Sequence, residues 1–121
     1  MAPDAASTPK PRDVDARAFR EELQATLTEY DHVLVDFYTK GCTLCQSIEP
    51  VLGSVARATG VPILLVNPQT DPSLASEHSI RSVPTLMLFQ SGEDGSPEEV
   101  DRIAEGFVGA ESIVEFVEEA R

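Results

Sequence analysis

Apolar residues are grouped along the chain in two patterns. In the first, short runs rich in β-branched and aromatic residues are apolar on both alternating faces, which is typical of strands buried on both sides of a sheet. Such runs predict strands over residues 32–38, 61–66 and 85–89. A cluster of turn-forming residues at 91–99 follows the third run, so residues 100–107 are predicted to return as the second strand of a hairpin.

In the second pattern, apolar residues recur at the helical period and leave polar residues on the opposite face. They predict amphipathic helices over 14–30, 42–59 and 111–120. Pro50 should kink the middle helix, and Gly60 is predicted to cap its C-terminal end. A shorter helix is predicted over 72–79, with Asp71 as its N-cap and Pro72 at its first position.

The order of these elements predicts a single α/β domain. Strands that alternate with helices and end in a hairpin form a central mixed sheet with helices on both faces. A chain of 121 residues, 41% of them hydrophobic, is long enough to bury one core of this kind. We expect the domain to occupy residues 15–121, after a disordered leader over 1–14 that is rich in proline, alanine and charge.

The charge of the chain and its hydropathy restrict which partners and which cellular location we expect. A formal net charge of -12 repels nucleic acid phosphates and anionic membranes, so neither is expected as a partner. No secretory signal and no apolar run of about 20 residues is found, which predicts a cytoplasmic protein. Dispersed acids and scarce lysine are typical of a surface adapted to high salt, and an ordinary acidic cytosolic protein is the alternative.

The chain has two cysteines, Cys42 and Cys45, which lie where the first predicted strand ends and a predicted helix begins. The unpaired N–H groups and the dipole of a helix N-terminus stabilise a thiolate, and Lys40 adds positive charge nearby. Cys42 is therefore predicted to be a nucleophile near neutral pH. Cys45 lies one helical turn further inward, where it could resolve a mixed disulfide on Cys42 and complete an exchange cycle.

Other roles for the cysteine pair stay open on the residues alone. Zinc needs four ligands, and the chain adds only His32 and His78, which are far apart in sequence. A metal or iron–sulfur carrier would have to share the two cysteines across a dimer. A purely structural disulfide would close so small a loop that it would stabilise the fold little. We therefore favour redox exchange and expect no metal.

A resemblance to the thioredoxin family runs over about residues 16–120. It is carried by the segments "VLVDFYTKGCTLCQSIEP" and "SIRSVPTLMLF" and by glycines at 92 and 106. The resemblance implies a thioredoxin fold and reduction of disulfides in substrate proteins, with recharging by a thioredoxin reductase. It implies no cofactor beyond a redox-active disulfide between Cys42 and Cys45. We expect the protein to be a monomer.

The resemblance also assigns roles around the cysteines. It implies that Cys42 attacks, that Cys45 resolves, and that Asp36 is a buried acid behind the pair. The strand pattern agrees, because a carboxyl group on a strand that is apolar on both faces is desolvated, and desolvation raises its pKa. Such a group could handle the proton of Cys45. The alternative is an aspartate that reaches solvent at a strand edge.

Substrate contacts are implied at four positions. Pro84 matches the cis-proline of the family, and Val83 before it would pair its backbone with a bound polypeptide. Gly106 matches a glycine on the rim of the substrate groove, although it could be an ordinary glycine at a strand end. Gly41 takes the place of the usual tryptophan, which removes an aromatic wall from the docking surface and frees the loop backbone.

Three further departures from the family pattern have physical consequences. The spacer is Thr43 and Leu44 instead of Gly-Pro, which restores a backbone N–H in the first turn and adds a hydroxyl donor for a thiolate. Leu65 replaces a lysine that usually neighbours the buried acid, so the pKa of Asp36 should lie higher still. His78 falls where the family often has a tyrosine on the docking face, and we expect it to be exposed to solvent.

The sequence thus predicts a protein-disulfide reductase of the dithiol type. The alternative is a binding or redox-sensing module of the same fold with little reductase turnover, in which the missing tryptophan and lysine mark a loss of catalysis.

Overall fold

The computed structural model describes residues 8–104 and 109–121, which form nine regular elements and two 3₁₀ turns, at Ala16–Ala18 and Pro68–Thr70. The strands are β1 (Arg12–Val14), β2 (His32–Phe37), β3 (Ile63–Val66), β4 (Thr85–Ser91) and β5 (Pro97–Ile103). The helices are α1 (Phe19–Glu29), α2 (Thr43–Thr59), α3 (Pro72–Glu77) and α4 (Ala110–Ala120).

The strands form one mixed sheet in the spatial order β1-β3-β2-β4-β5. β3 pairs in parallel with both β1 and β2, whereas β4 pairs antiparallel with both β2 and β5. The predicted mixed sheet and the hairpin at its end are therefore confirmed. β2 lies at the centre of the sheet, so the segment that follows it leaves the sheet at the C-terminal end of its central strand.

Both faces of the sheet are buried, as the unbroken apolar runs predict. In β2, Val33, Val35 and Phe37 point to a core that α1 and α3 cover, whereas Leu34 points to a second core beneath α2 and α4. Helices thus lie on both faces of the sheet, as expected. The consequence for the site is that any polar side chain on β2 has no route to solvent through the faces of the sheet.

The boundaries of several elements differ from the sequence prediction. The disordered leader predicted over 1–14 is wrong for Arg12–Val14, which form β1 along the exposed edge of β3. Only Val14 of this strand is buried, so no alternating pattern marks it in the sequence. The return strand begins at Pro97 rather than at residue 100. The domain therefore includes β1, before the predicted boundary at residue 15, and the rest of the predicted leader stays a prediction.

The end of α2 agrees with its sequence signals. Gly60 follows the helix with a φ of 72°, a left-handed conformation that glycine adopts without the steric cost of a side chain. Its backbone N–H donates to the carbonyl of Ala56 at 2.8 Å and so satisfies one of the last carbonyl groups. In the part of the chain that the structure describes, no helix is long and apolar enough to cross a membrane.

Candidate active site

The two cysteines lie at the N-terminus of α2, directly after the short loop that leaves the central strand. Cys42 is the N-cap of α2, and Cys45 lies in its first turn, where the two sulfurs form a disulfide with Cα atoms 5.2 Å apart. Cys42 is half-buried, whereas only 1% of Cys45 is exposed. Cys42 is therefore the sulfur that another protein could reach, and Cys45 is the one that faces the interior.

A backbone donor is aimed at the sulfur of Cys42. The N–H of Cys45 donates to Cys42 Sγ at 3.1 Å, so the sulfur takes the place that an oxygen occupies in ordinary N-caps. In the reduced protein the same N–H and the dipole of this 17-residue helix would stabilise a thiolate on Cys42. The geometry thus favours charge on the more accessible of the two sulfurs.

The two residues that were predicted to tune the thiolate lie close by in sequence. Lys40 is exposed, and its backbone N–H donates to Gln69 Oε1 at 3.4 Å. Thr43 is exposed as well, and its carbonyl accepts from Ser47 Oγ at 3.2 Å. The donor that reaches Cys42 Sγ is the N–H of Cys45 and not the Thr43 hydroxyl or the N–H that the spacer restores. A tuning role for Lys40 and Thr43 stays a prediction.

A free stretch of backbone faces Cys42 from the loop before β4. The Val83–Pro84 peptide bond is cis, and the carbonyl oxygen of Val83 lies 3.9 Å from Cys42 Sγ. The Thr85 hydroxyl donates to the carbonyl of Ser82 at 2.7 Å and thereby fixes this loop. Among the described residues, the N–H of Val83 enters no backbone hydrogen bond, so it is available to an extended segment of another protein.

An open cavity of about 340 Å³ adjoins this backbone. Its apolar lining comes mainly from Pro68, Pro72, Ile80 and Val83. On the other side of Cys42, Gly41 is exposed, and nothing lies within 4 Å of the place where a Cβ would stand. The surface around Cys42 is therefore open, as the loss of an aromatic residue at this position predicts. Gly106, the other predicted rim residue, lies outside the described residues.

A substitution at Gly41 tests the backbone conformation of the loop alone, because an added Cβ would contact no other atom within 4 Å. Because its φ is +80°, Gly41→Ala should lower the free energy of unfolding by about 1 kcal/mol through backbone strain alone. Gly53→Ala is the matched control, since Gly53 lies within α2 with an open side and should gain up to about 1 kcal/mol. Urea denaturation measures both changes. Equal stability of Gly41→Ala and wild type would show that this φ is not required.

Asp36, on β2 shortly before the loop that leads to the cysteines, has no exposure to solvent. Its strand neighbours in register are Leu65 on β3 and Leu86 on β4, and neither carboxyl oxygen has a hydrogen-bond partner among the described residues. Burial raises the pKa of Asp36 to about 7, with smaller upward contributions from Glu49 and Asp13. The prediction of a buried acid is confirmed, and the alternative of an aspartate at an open strand edge is wrong.

Three groups near Asp36 were not found from the sequence. Glu49 lies on α2, Asp13 lies on β1, and the Tyr38 hydroxyl donates to a carboxyl oxygen of Asp13. The position of Glu49 one turn after Cys45 was a usable signal, because residues four apart share a helix face. Asp13 and Tyr38 gave no such signal, since β1 itself was not predicted.

His78 is not the exposed side chain that the sequence predicted. Its ring is half-buried among those of Phe19, Phe37 and Phe89, with ring centroids 6.0, 5.6 and 5.6 Å away. Burial lowers the pKa of His78, so the neutral ring is favoured. His78 therefore packs in the core on the α1 face and offers little of its ring to a partner.

The histidines and cysteines do not gather into a metal site in the ranges 8–104 and 109–121. No group of three or more His, Cys, Asp or Glu side chains there has the arrangement to hold a metal ion. His32 stands at the start of β2, and burial lowers its pKa. The chemistry that these residues support is that of two thiols, one helix N-terminus and one buried carboxyl group.

Comparison with known proteins agrees with this arrangement. A family model described as Thioredoxin matches residues 10–119. The thioredoxin of Porphyra purpurea is 40% identical over 63 residues, which are 50% of this chain and 59% of that protein. Thioredoxin 1 of Synechococcus elongatus is 37% identical over 81 residues, 65% of this chain and 72% of that protein.

Solved structures extend the likeness to almost the whole chain. A single-residue mutant of a thioredoxin from Halobacterium salinarum superposes with a TM-score of 0.78 at 30% sequence identity, over 94% of each chain. The expected thioredoxin fold, a central mixed sheet with helices on both faces, is therefore confirmed, and β1 is a fifth strand that the sequence did not predict.

Proposed function

Because the chain belongs to the thioredoxin family, we propose that it is a thiol–disulfide oxidoreductase that reduces disulfides in proteins. The observation that carries this proposal is the asymmetry of the cysteine pair. Cys42 is accessible and receives a hydrogen bond at its sulfur, whereas Cys45 is buried one turn further along α2. This is the arrangement in which one sulfur attacks and the other resolves.

The cycle begins with the reduced protein. The Cys42 thiolate attacks one sulfur of a substrate disulfide, so that a bond from Cys42 to the substrate forms and the other substrate sulfur leaves as a thiolate, which takes a proton from water. Asp36 then accepts the proton of the Cys45 thiol. Cys45 attacks Cys42 Sγ, the bond from Cys42 to the substrate breaks as the Cys42–Cys45 disulfide forms, and the second substrate sulfur leaves as a thiolate that receives the proton from Asp36. Two electrons pass to the substrate, and the protein ends oxidised.

Docking of the substrate would use the free backbone beside Cys42. An extended segment of the substrate could pair with the N–H of Val83 and place its apolar side chains in the adjoining cavity. The Val83 carbonyl before Pro84 lies 3.9 Å from Cys42 Sγ, so this backbone stands at the reacting sulfur, and the open surface at Gly41 admits bulky segments. Gly106 stays a predicted contact at the rim of the same groove.

The electron donor and the setting follow from the family and from the charge. We expect a thioredoxin reductase to regenerate the dithiol, and we expect a monomer in a reducing cytoplasm, where the pair would cycle instead of remaining oxidised. A net charge of -12 disfavours nucleic acid and anionic membranes as partners. We expect the exchange to need no cofactor beyond the redox-active disulfide of Cys42 and Cys45.

The direct test is catalysed reduction of insulin by dithiothreitol, together with the equilibrium of the Cys42–Cys45 pair against glutathione. We expect insulin turnover, and a disulfide that glutathione at physiological ratios reduces only slightly. A pair that glutathione readily reduces would instead indicate an oxidase or an isomerase. A stable complex with a partner protein that survives replacement of both cysteines would favour the binding module.

The acidic surface carries a separate prediction. Repulsion among dispersed carboxylates destabilises the folded state, and salt screens it, so the melting temperature should rise between dilute buffer and molar potassium chloride. Glu98→Gln, which removes one exposed acid on β5, should reduce that rise slightly. A melting temperature that does not depend on salt would contradict adaptation of this surface to high salt.

A further inference from the structure

A row of side chains connects the exposed edge of the sheet with the buried acid. Asp13 on β1 is in register with Leu65 on β3, and Leu65 is in register with Asp36 on β2. Residues in register point to the same face of a sheet, so Asp13 and Asp36 lie on the α2 face. Because neighbouring strands are about 4.8 Å apart, their Cα atoms are separated by about 10 Å.

Tyr38 bridges this row. It stands two residues after Asp36 and so on the same face, and its backbone N–H donates to the carbonyl of Val66 at 3.0 Å. Its hydroxyl donates to Asp13 Oδ2, so the half-buried ring reaches from the end of β2 past β3 to β1. An exposed aspartate at a sheet edge would otherwise turn freely into solvent, whereas Asp13 is held on the side of Asp36.

We propose that Asp13 and Tyr38 are a positioning pair that holds a negative charge beside Asp36 and so favours a proton on the Asp36 carboxyl group. Neither residue touches the reacting sulfurs. Their effect would be on the ionisation of Asp36, which sets how readily it exchanges a proton with Cys45. This inference rests on the proposed role of Asp36 in that exchange.

The charged groups around Asp36 all raise its pKa. The ionisable groups that act on it among the described residues are Glu49 from α2, Asp13 from β1 and Tyr38 after β2. Cys45 of α2 is held in the disulfide and carries no titrating proton. β3 and β4 present only Leu65 and Leu86. Glu49 and Asp13 both add to the rise that burial produces in the pKa of Asp36. Burial and the bond to Asp13 raise the pKa of Tyr38, so its hydroxyl keeps its proton and remains a donor.

The test is a carbon-13 NMR titration of the Asp36 carboxyl group in the oxidised protein, where the cysteines carry no titrating proton. Asp13→Asn should lower the titration midpoint by about half a pH unit, because a like charge about 10 Å away is only partly screened. Tyr38→Phe should shift it in the same direction by less. The double variant should match Asp13→Asn alone, since the hydroxyl acts only through Asp13.

Controls separate this effect from general loss of charge. Glu98→Gln is the matched variant, since Glu98 is an exposed acid on an edge strand that accepts from an uncharged side chain, Gln90 Nε2, at 2.9 Å. Glu98→Gln should leave the midpoint of Asp36 unchanged. Asp13→Glu keeps the negative charge, so its midpoint should lie close to that of the wild type. Molar salt should shrink the difference between Asp13→Asn and wild type.

The results also distinguish this inference from the proposed function. An unchanged midpoint in Asp13→Asn, or additive shifts in the double variant, overturns the positioning pair while the role of Asp36 stands. The midpoint could also move as expected while Asp36→Asn turns over substrate like the wild type. In that case Asp13 and Tyr38 do affect the ionisation of Asp36, and the proposed role of Asp36 in proton transfer is wrong.

Discussion

Cys42→Ser should abolish the catalysed reduction of insulin, whereas Cys45→Ser should attack once and stop as a covalent complex. Without the Cys42 thiolate there is no accessible nucleophile, because Cys45 is only 1% exposed. Without Cys45 the first step still occurs, but no internal thiol releases the mixed disulfide. We expect turnover of Cys42→Ser to fall at least about 100-fold, to the background rate of dithiothreitol.

The distinction between the two variants is the informative part of this experiment. After an alkylating quench, nonreducing electrophoresis and mass spectrometry should find substrate joined to the protein in Cys45→Ser but not in Cys42→Ser. Gln46→Ala, an exposed change in the first turn of the same helix, should keep wild-type turnover. Trapped substrate on Cys45 in Cys42→Ser would reverse the proposed roles, and full turnover by both cysteine variants would remove the cysteines from the mechanism.

The site residues that could be predicted are those whose environment is local in sequence. The different roles of the two cysteines can be predicted from their place where a strand ends and a helix begins. The burial of Asp36 can be predicted from a strand that is apolar on both faces. In both cases the sequence pattern that indicates the environment lies within a few positions of the residue concerned. The same holds for Gly60, whose left-handed conformation is fixed by the helix that it ends.

The features that escaped prediction are made by residues distant in sequence. β1 has only three residues and one buried side chain, so its formation depends on pairing with β3. Tyr38 meets Asp13 only because of that pairing. His78, directly after α3, is surrounded by aromatic rings from α1, β2 and β4, and nothing in the sequence next to it indicates that they converge. Tertiary contacts of this kind override what local pattern indicates.

Asp36→Asn should make the protein more stable and less active, and the gain in stability should depend on pH. The pKa of Asp36 is raised from 3.8 to about 7 in the folded protein. Between these values the folded state binds more protons than the unfolded state, so the free energy of unfolding of the wild type falls as pH rises. Asparagine carries no titrating group and should not show this fall.

The difference in stability between Asp36→Asn and wild type should therefore be small at pH 4 and largest above pH 7. At about 1.4 kcal/mol per pH unit, it should reach up to about 4 kcal/mol at pH 8. Urea denaturation at constant ionic strength across this range measures it, with Glu98→Gln as an exposed control. A difference that is the same at pH 4 and pH 8 would mean that Asp36 titrates normally in the folded protein.

The same substitution should slow resolution of the mixed disulfide, because asparagine cannot accept the proton of Cys45. General base catalysis of this kind contributes on the order of 100-fold, so we expect turnover of Asp36→Asn to fall at least about tenfold near neutral pH. A buried acid without a hydrogen-bond partner lowers stability wherever it is ionised. If its removal stabilised the protein and left turnover intact, that cost would have no catalytic counterpart, and Asp36 would have no role in proton transfer.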